Sequence, residues 1–216
     1  MRTNLADISV VLDRSGSMSS VKTDTIGGFN EFLKSQKECP GEAVLTLAQF
    51  DDRYEIVHDG KNIQDVPPLD DKTFVPRGCT ALLDAIGRTI NATGARLSAM
   101  SEESRPSKVI FVILTDGQEN ASKELTREKV MEMIKHQTEA YKWDFVFLGA
   151  NQDAIQAGAM MGISVGNSMT YAANTKGTGA AFRSMSVNLC SARVGADMSS
   201  GYFNDKDREE QKQAGA

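Results

Sequence analysis

Side chains with oxygen donors lie at the ends of apolar segments in this sequence. Asp13, Ser15 and Ser17 alternate directly after one apolar run. Thr80 opens a helical pattern, and Asp116 ends a second apolar run. Each feature alone is weak, because aspartate and serine form turns and threonine caps helices. Together they supply carboxylates and hydroxyls, the donors that Mg²⁺, Mn²⁺ or Ca²⁺ prefers, and they favour one site for a divalent cation.

The elements that must position these side chains are short apolar segments alternating with helical patterns. Segments that are apolar on both faces predict buried parallel strands, and an alternating segment predicts the edge strand of a hairpin. The predicted strands are 7–13, 43–50, 53–59, 108–116 and 143–150, and the predicted helices are 20–37, 80–100, 126–141, 152–161 and 178–192. This order predicts an α/β fold, with a doubly wound, mostly parallel central sheet, one antiparallel edge strand and helices on both faces.

The predicted sheet gives the polar side chains a common edge. Ligands of doubly wound sheets bind beyond the carboxyl ends of the strands. Asp13, Asp116 and Asn151 each end or follow a predicted strand. We therefore expect them to lie at the same edge of the sheet.

Length and charge limit the organisation and the partners of the chain. The 216 residues fit one domain, which we place at residues 1–194. Residues 195–216 are polar, charged and rich in Gly, which predicts a flexible polar tail. The net charge is −5 and no dense Lys/Arg block occurs, which argues against nucleic acid and anionic membranes as partners.

The cysteines and the N-terminal residues bear on the cellular location. Cys39, Cys79 and Cys190 are odd in number and widely spaced, which argues against a disulfide framework or a zinc cluster. The first residues lack the apolar core of a signal peptide, and no apolar run approaches the roughly 20 residues that span a bilayer. These features predict reduced cysteines and a cytoplasmic location.

In Asp13-x-Ser15-x-Ser17, the later Thr80 and the "TDG" at Asp116, the sequence resembles the von Willebrand factor A (VWA) domain family. The metal-ion-dependent adhesion site (MIDAS) of that family has the same three parts in the same order. The resemblance extends over residues 5 to about 192 and implies a Rossmann-like VWA fold. It implies that both serines and Thr80 contact a divalent cation, with Asp13 and Asp116 binding directly or through water. Mg²⁺ is the expected ion, with Mn²⁺ or Ca²⁺ as alternatives.

The resemblance also implies a function, because such sites bind a protein partner whose Asp or Glu completes the metal coordination. The short chain is similar to stand-alone prokaryotic or phage VWA proteins of the cytoplasm, several of which are thought to work with AAA+ ATPases or in stress-response operons. By this analogy we expect an intracellular adaptor with such a partner.

Three further residues are candidates for the rim that contacts the partner. Asn151 and Gln152 follow a predicted strand on the metal edge, and Glu119 follows Asp116. The alternatives are a helix cap for Asn151 and a solvated loop position for Glu119.

Two other functions stay open at this point. A metal-assisted phosphohydrolase could use the same carboxylates, with Lys108 or Lys123 facing a phosphoryl group. Self-association could place an acidic residue of the tail in the open site of a neighbour; the candidates are Asp205, Asp207, Glu209 and Glu210. His58 and His136 have no partnered Ser or Cys motif, so we predict no catalytic residues and no enzyme activity.

Overall fold

The structure, a computed structural model, describes residues 1–150 and 153–216. The strands are β1 (Arg2–Asp13), β2 (Glu42–Phe50), β3 (Tyr54–Asn62), β4 (Pro106–Thr115), β5 (Asp144–Ala150) and β6 (Ser168–Tyr171). The helices are α1 (Lys22–Glu38), α2 (Leu82–Ser98), α3 (Arg127–Tyr141), α4 (Ala154–Ala159), α5 (Thr175–Arg193) and α6 (Asp205–Ala214).

Within the described residues these strands form one sheet in the order β3-β2-β1-β4-β5-β6. Neighbouring strands are parallel except for the β2–β3 hairpin, which is antiparallel and places β3 at the edge. The chain therefore has the predicted doubly wound α/β fold, because each crossover helix returns the chain to the same end of the sheet.

Two apolar cores lie on opposite faces of the sheet. Alternate residues of β1 point to opposite sides, so Val10 packs with α1 and α5, whereas Val11 packs with α2 and α3. Phe29 of α1 and Ile86 of α2 are fully buried on their respective faces. Burying one such side chain stabilises the fold by roughly 1.5–3 kcal/mol. This packing fixes the strand ends from which the polar loops begin.

The C-terminal residues differ from the expected flexible tail at residues 195–216. Tyr202 and Phe203 are buried and join the core next to α5. Asn204 and Asp207 form a capping box that starts α6. The buried Gln211 side chain donates to the Gly177 carbonyl oxygen at 3.0 Å. The two aromatic residues, the helix cap and the Gln211 contact together dock a segment that is otherwise charged.

The prediction of reduced cysteines without a disulfide is wrong, because Cys39 and Cys190 are bonded to each other. Cys39 follows α1 and Cys190 lies near the end of α5. These positions are 151 residues apart in sequence but only 5.8 Å apart between their Cα atoms. The bond also weakens the cytoplasmic prediction, because disulfides persist mainly in oxidising compartments. Among the described residues, no helix has both the length and the apolar character needed to cross a membrane.

Candidate metal centre

The site begins where β1 and β4 end side by side. Leu12 of β1 is in register with Leu114 of β4, so the next residues, Asp13 and Thr115, lie next to each other at the carboxyl edge. The Thr115 hydroxyl donates to Asp13 Oδ2 at 2.6 Å. Parallel pairing therefore brings the Asp13 loop and the Asp116 loop together, as the sequence predicted.

Asp13 is fully buried, and both of its carboxylate oxygens already accept hydrogen bonds. Besides the bond from Thr115, the Ser15 backbone N–H donates to Asp13 Oδ1 at 2.7 Å. Burial raises the pKa of Asp13 to about 6, against the opposing effect of these hydrogen bonds, and the nearby Asp116 charge adds to the rise. Asp13 thus shapes the loop and supplies negative charge beneath it.

A chain of hydrogen bonds links the two serines to Asp116. The hydroxyl oxygens of Ser15 and Ser17 lie 3.0 Å apart, and Ser17 Oγ donates to Asp116 Oδ1 at 2.6 Å. The pKa of Asp116 lies above its ordinary value because the side chain is largely buried, although the hydrogen bond from Ser17 acts in the opposite direction. These oxygen atoms are therefore close enough to share one small ion.

Thr80 reaches the site on the irregular segment that precedes α2. Its backbone N–H donates to Asn120 Oδ1 at 2.9 Å, and its carbonyl oxygen accepts from the Asn120 N–H at 3.1 Å. A methyl group placed on Gly117 would lie 2.9 Å from Thr80 Oγ1 and 3.5 Å from Ser17 Oγ. The hydroxyls of Thr80 and Ser17 therefore border the same small space above Gly117, and glycine keeps that space open.

The residues present fit a hard divalent cation. The structure brings together all five predicted ligands, four through direct hydrogen bonds and Thr80 across Gly117: Asp13, Ser15, Ser17, Thr80 and Asp116. Within the described part of the chain, no group of three or more His, Cys, Asp and Glu side chains could hold a metal. A cation here would depend on neutral hydroxyls plus two carboxylates, a donor set suited to Mg²⁺ or Mn²⁺.

The three candidate rim residues have different outcomes. Asn151 and Gln152 lie outside the described residues. Glu119 accepts from the backbone N–H groups of Leu83 and Ser122, at 2.9 and 2.7 Å. Both of its carboxylate oxygens thereby hold the loop after β4 against the start of α2. A contact between Glu119 and a partner remains a prediction.

The sequence patterns missed the acidic residue at the end of β2. Asp51 is fully buried and forms ion pairs with Arg14 and Arg77. Burial alone would raise the pKa of Asp51, but hydrogen bonds from Arg77 and the Arg53 backbone, together with the Arg14 charge, hold it below its ordinary value. A signal was present in the sequence, because Asp51 follows a buried strand at the same edge as Asp13. Its position between two predicted strands is equally typical of a hairpin turn, so the sequence alone does not single it out.

The loops after β1 and β4 and the segment before α2 carry the five candidate ligands, and we call them the metal loops. A cleft of about 310 Å³ adjoins them at Gly117. Its floor includes Leu82 and Phe147, and its rim includes Arg127 and Asp153. The cleft is open space next to the loop that carries Asp116.

No protein-family model and no curated protein matches the sequence. Solved structures do match. The pilus adhesin SpaC from Lactobacillus rhamnosus GG has a TM-score of 0.65 at 14% identity, covering 89% of this chain and 31% of its own. Proximal thread matrix protein 1 from the mussel byssus, with a zinc-occupied MIDAS motif, has a TM-score of 0.57 at 18% identity, covering 87% and 46%. The von Willebrand factor type A protein from Catenulispora acidiphila has a TM-score of 0.54 at 12% identity, covering 87% and 43%.

These likenesses confirm the fold that the sequence predicted, which is of the VWA type. The chain spans less than half the length of each of the three matched chains.

Proposed function

We propose that this protein is a metal-dependent protein-binding module without catalytic activity. Ser15, Ser17 and Thr80 would contact a divalent cation, with Asp13 and Asp116 binding directly or through water. The hydrogen-bonded series from Ser15 Oγ through Ser17 Oγ to Asp116 Oδ1 is the observation that carries this proposal. A bound Mg²⁺ would act as a Lewis acid for the carboxylate of a partner's Asp or Glu, and Mn²⁺ or Ca²⁺ are the alternative ions.

The donor set explains why a bound ion would attract a further carboxylate. The serine and threonine donors are neutral, and both oxygens of Asp13 are already occupied by Ser15 and Thr115. Such a site would leave coordination positions to water, and a carboxylate from outside could displace that water. The zinc-occupied MIDAS motif of the mussel protein, on the same type of fold, supports this use of the edge.

The two alternative functions have less support from the contacts. Lys108 binds Asp144 at the start of β5, so it lies at the opposite end of the sheet from the metal loops. The acidic residues of α6 also have local roles, since Asp207 caps the helix and Glu210 pairs with Arg183. These contacts argue against phosphoryl transfer through Lys108 and against self-association through Asp207 or Glu210.

The partner predicted from the sequence, an AAA+ ATPase or a stress-operon protein, belongs to the cytoplasm. The Cys39–Cys190 disulfide favours an oxidising compartment instead. We therefore propose the partner by its chemistry, as a protein with an accessible Asp or Glu next to a side chain that fits the cleft beside Gly117.

The test is Mn²⁺ and Mg²⁺ titration by calorimetry of wild type and Ser15→Ala/Ser17→Ala. We expect the double variant to lose metal binding, because it removes two hydroxyl donors while leaving the Ser15 N–H bond to Asp13 available. Ser19→Ala is the control, since Ser19 is exposed on the same turn and the Ser20 hydroxyl, which donates to the Ser17 carbonyl oxygen, stays in place. Pull-downs with Mg²⁺ or EDTA then test partner capture. Equal metal binding by wild type and the Ser15/Ser17 variant would contradict the proposal.

A further inference from the structure

We propose that Asp51 is a positioning residue for the metal centre, holding the Ser15–Ser17 loop and the Thr80 loop in register without touching the ion. This inference rests on the proposed metal-binding function. Asp51 Oδ2 accepts from Arg14 Nε at 3.2 Å and from Arg77 Nε at 2.7 Å, and Asp51 Oδ1 accepts from the Arg53 N–H at 2.6 Å. These bonds direct both Asp51 oxygens to Arg14, Arg77 and Arg53, not to a hydroxyl donor of the site, so we assign Asp51 no direct contact with the ion.

The two arginines belong to the two loops that carry the hydroxyl donors. Arg14 lies between Asp13 and Ser15, and Arg77 lies three residues before Thr80. One carboxylate oxygen therefore joins the segment from β1 to the segment that leads into α2. A shift of the Arg14 side chain would be transmitted to the ligands on either side of it.

Backbone hydrogen bonds continue the connection that the Asp51 side chain begins. The Asp51 carbonyl oxygen accepts from the N–H of Ala81, the residue after Thr80, at 3.0 Å. The Arg77 N–H donates to the Arg14 carbonyl oxygen at 2.8 Å, and the Gly16 N–H donates to the Gly78 carbonyl oxygen at 3.1 Å. The segment after β1 and the segment before α2 therefore run side by side in the same direction, and Asp51 is hydrogen-bonded to both.

Charge makes the Asp51 carboxylate hard to replace. The Arg14 side chain is only 7% exposed, and its guanidinium also donates to Gln49 and Glu55. Without the Asp51 carboxylate, the positive charges of Arg14 and Arg77 would lose the negative charge between them. The two guanidinium groups would then repel each other and a nearby cation. We expect the loops to separate and the donor geometry to loosen.

The test compares Mn²⁺ affinity by calorimetry in wild type, Asp51→Asn and Asp7→Asn. Asp7 is a matched control, because it is also fully buried and pairs with an arginine, Arg96 at 2.7 Å, but lies toward the other end of β1. We expect Asp51→Asn to weaken Mn²⁺ binding at least tenfold and Asp7→Asn to keep the wild-type affinity. Binding by Asp51→Asn within twofold of wild type, or equal losses in both variants, would overturn the proposal.

Two more variants separate position from charge and guard against misfolding. Asp51→Glu keeps the charge but moves the carboxylate by one methylene, so we expect it to lose affinity as well. Wild-type affinity in Asp51→Glu would show that charge alone suffices and would overturn the positioning role.

If Asp51→Asn does not fold, Arg77→Ala replaces it, since that side chain is 47% exposed. We expect a several-fold loss there, and no loss would count against the proposal. Absence of Mn²⁺ binding in wild type would instead refute the proposed function.

Discussion

Two buried aspartates at the same sheet edge have pKa values that are shifted in opposite directions. Asp51 has two arginine partners, and its pKa is lowered despite burial. Asp13 has only hydroxyl and amide donors, so burial raises its pKa to about 6, and the neighbouring charge of Asp116 adds to the rise. An unfavourable buried carboxylate is typical of functional positions, because a cation that binds there removes the penalty.

The raised pKa of Asp13 gives the metal-free protein a specific pH dependence. Between the ordinary value of 3.8 and about 6, the folded state holds the proton that the unfolded state has released. The stabilising contribution of protonated Asp13 is therefore lost as pH rises from about 4 through about 6. At about 1.4 kcal/mol per pKa unit, the loss in unfolding free energy is up to ~3 kcal/mol.

Urea unfolding of wild type and Asp13→Asn, with EDTA over pH 4–8, measures this loss. We expect the variant to lack the Asp13 contribution, so that its stability relative to wild type increases from about pH 4 to about pH 6 and stays constant above that range. In Asp13→Asn, the Thr115 hydroxyl can accept a hydrogen bond from the asparagine amide and donate to the Gly117 carbonyl oxygen. Both side chains therefore keep hydrogen-bond partners in the variant. Parallel pH profiles for the two proteins would contradict the assignment.

Among the elements, the pairing of α1 with α5 was the least accessible from the sequence. Each helix was predicted from its apolar periodicity, but periodicity does not identify the partner helix. In the structure Thr175 donates to Asp24 near the amino ends, and Cys39 bonds Cys190 near the carboxyl ends, so the helices run in the same direction. Cysteine spacing could not reveal this pair, because five strands and three other helices lie between them in sequence.

The disulfide predicts a stability difference at the scale of these helices. We expect Cys39→Ala/Cys190→Ala to lower the unfolding free energy by about 2–5 kcal/mol, because the bond restricts the unfolded chain over 151 residues. Urea unfolding under non-reducing conditions measures the change. Cys79→Ala is the control, since Cys79 is exposed and unpaired. Equal stability of wild type and the double variant would show that this bond does not form in solution.

For the whole molecule, alternating strands and helices predicted the sheet, its antiparallel edge and the edge at which the loops of Asp13 and Asp116 meet. The docked C-terminal segment was missed because Tyr202 and Phe203 are two apolar residues in a charged stretch, too few to produce a period. The candidate metal ligands could be recognised because their motif is local to three chain segments, and their binding of a metal stays a prediction. Asp51 was missed because its role depends on how the loop before α2 packs against the loop after β1.

The central claim is that one divalent cation binds among the hydroxyls at the carboxyl edge of the sheet. Anomalous diffraction from crystals grown with Mn²⁺ tests it most directly. We expect an anomalous peak at about 2.0–2.6 Å, the range of hard cations, from the hydroxyl oxygens of Ser15 and Ser17, with the Ser17–Asp116 hydrogen bond replaced by coordination. An ordered site with no peak at saturating Mn²⁺, and with that hydrogen bond intact, would contradict the claim.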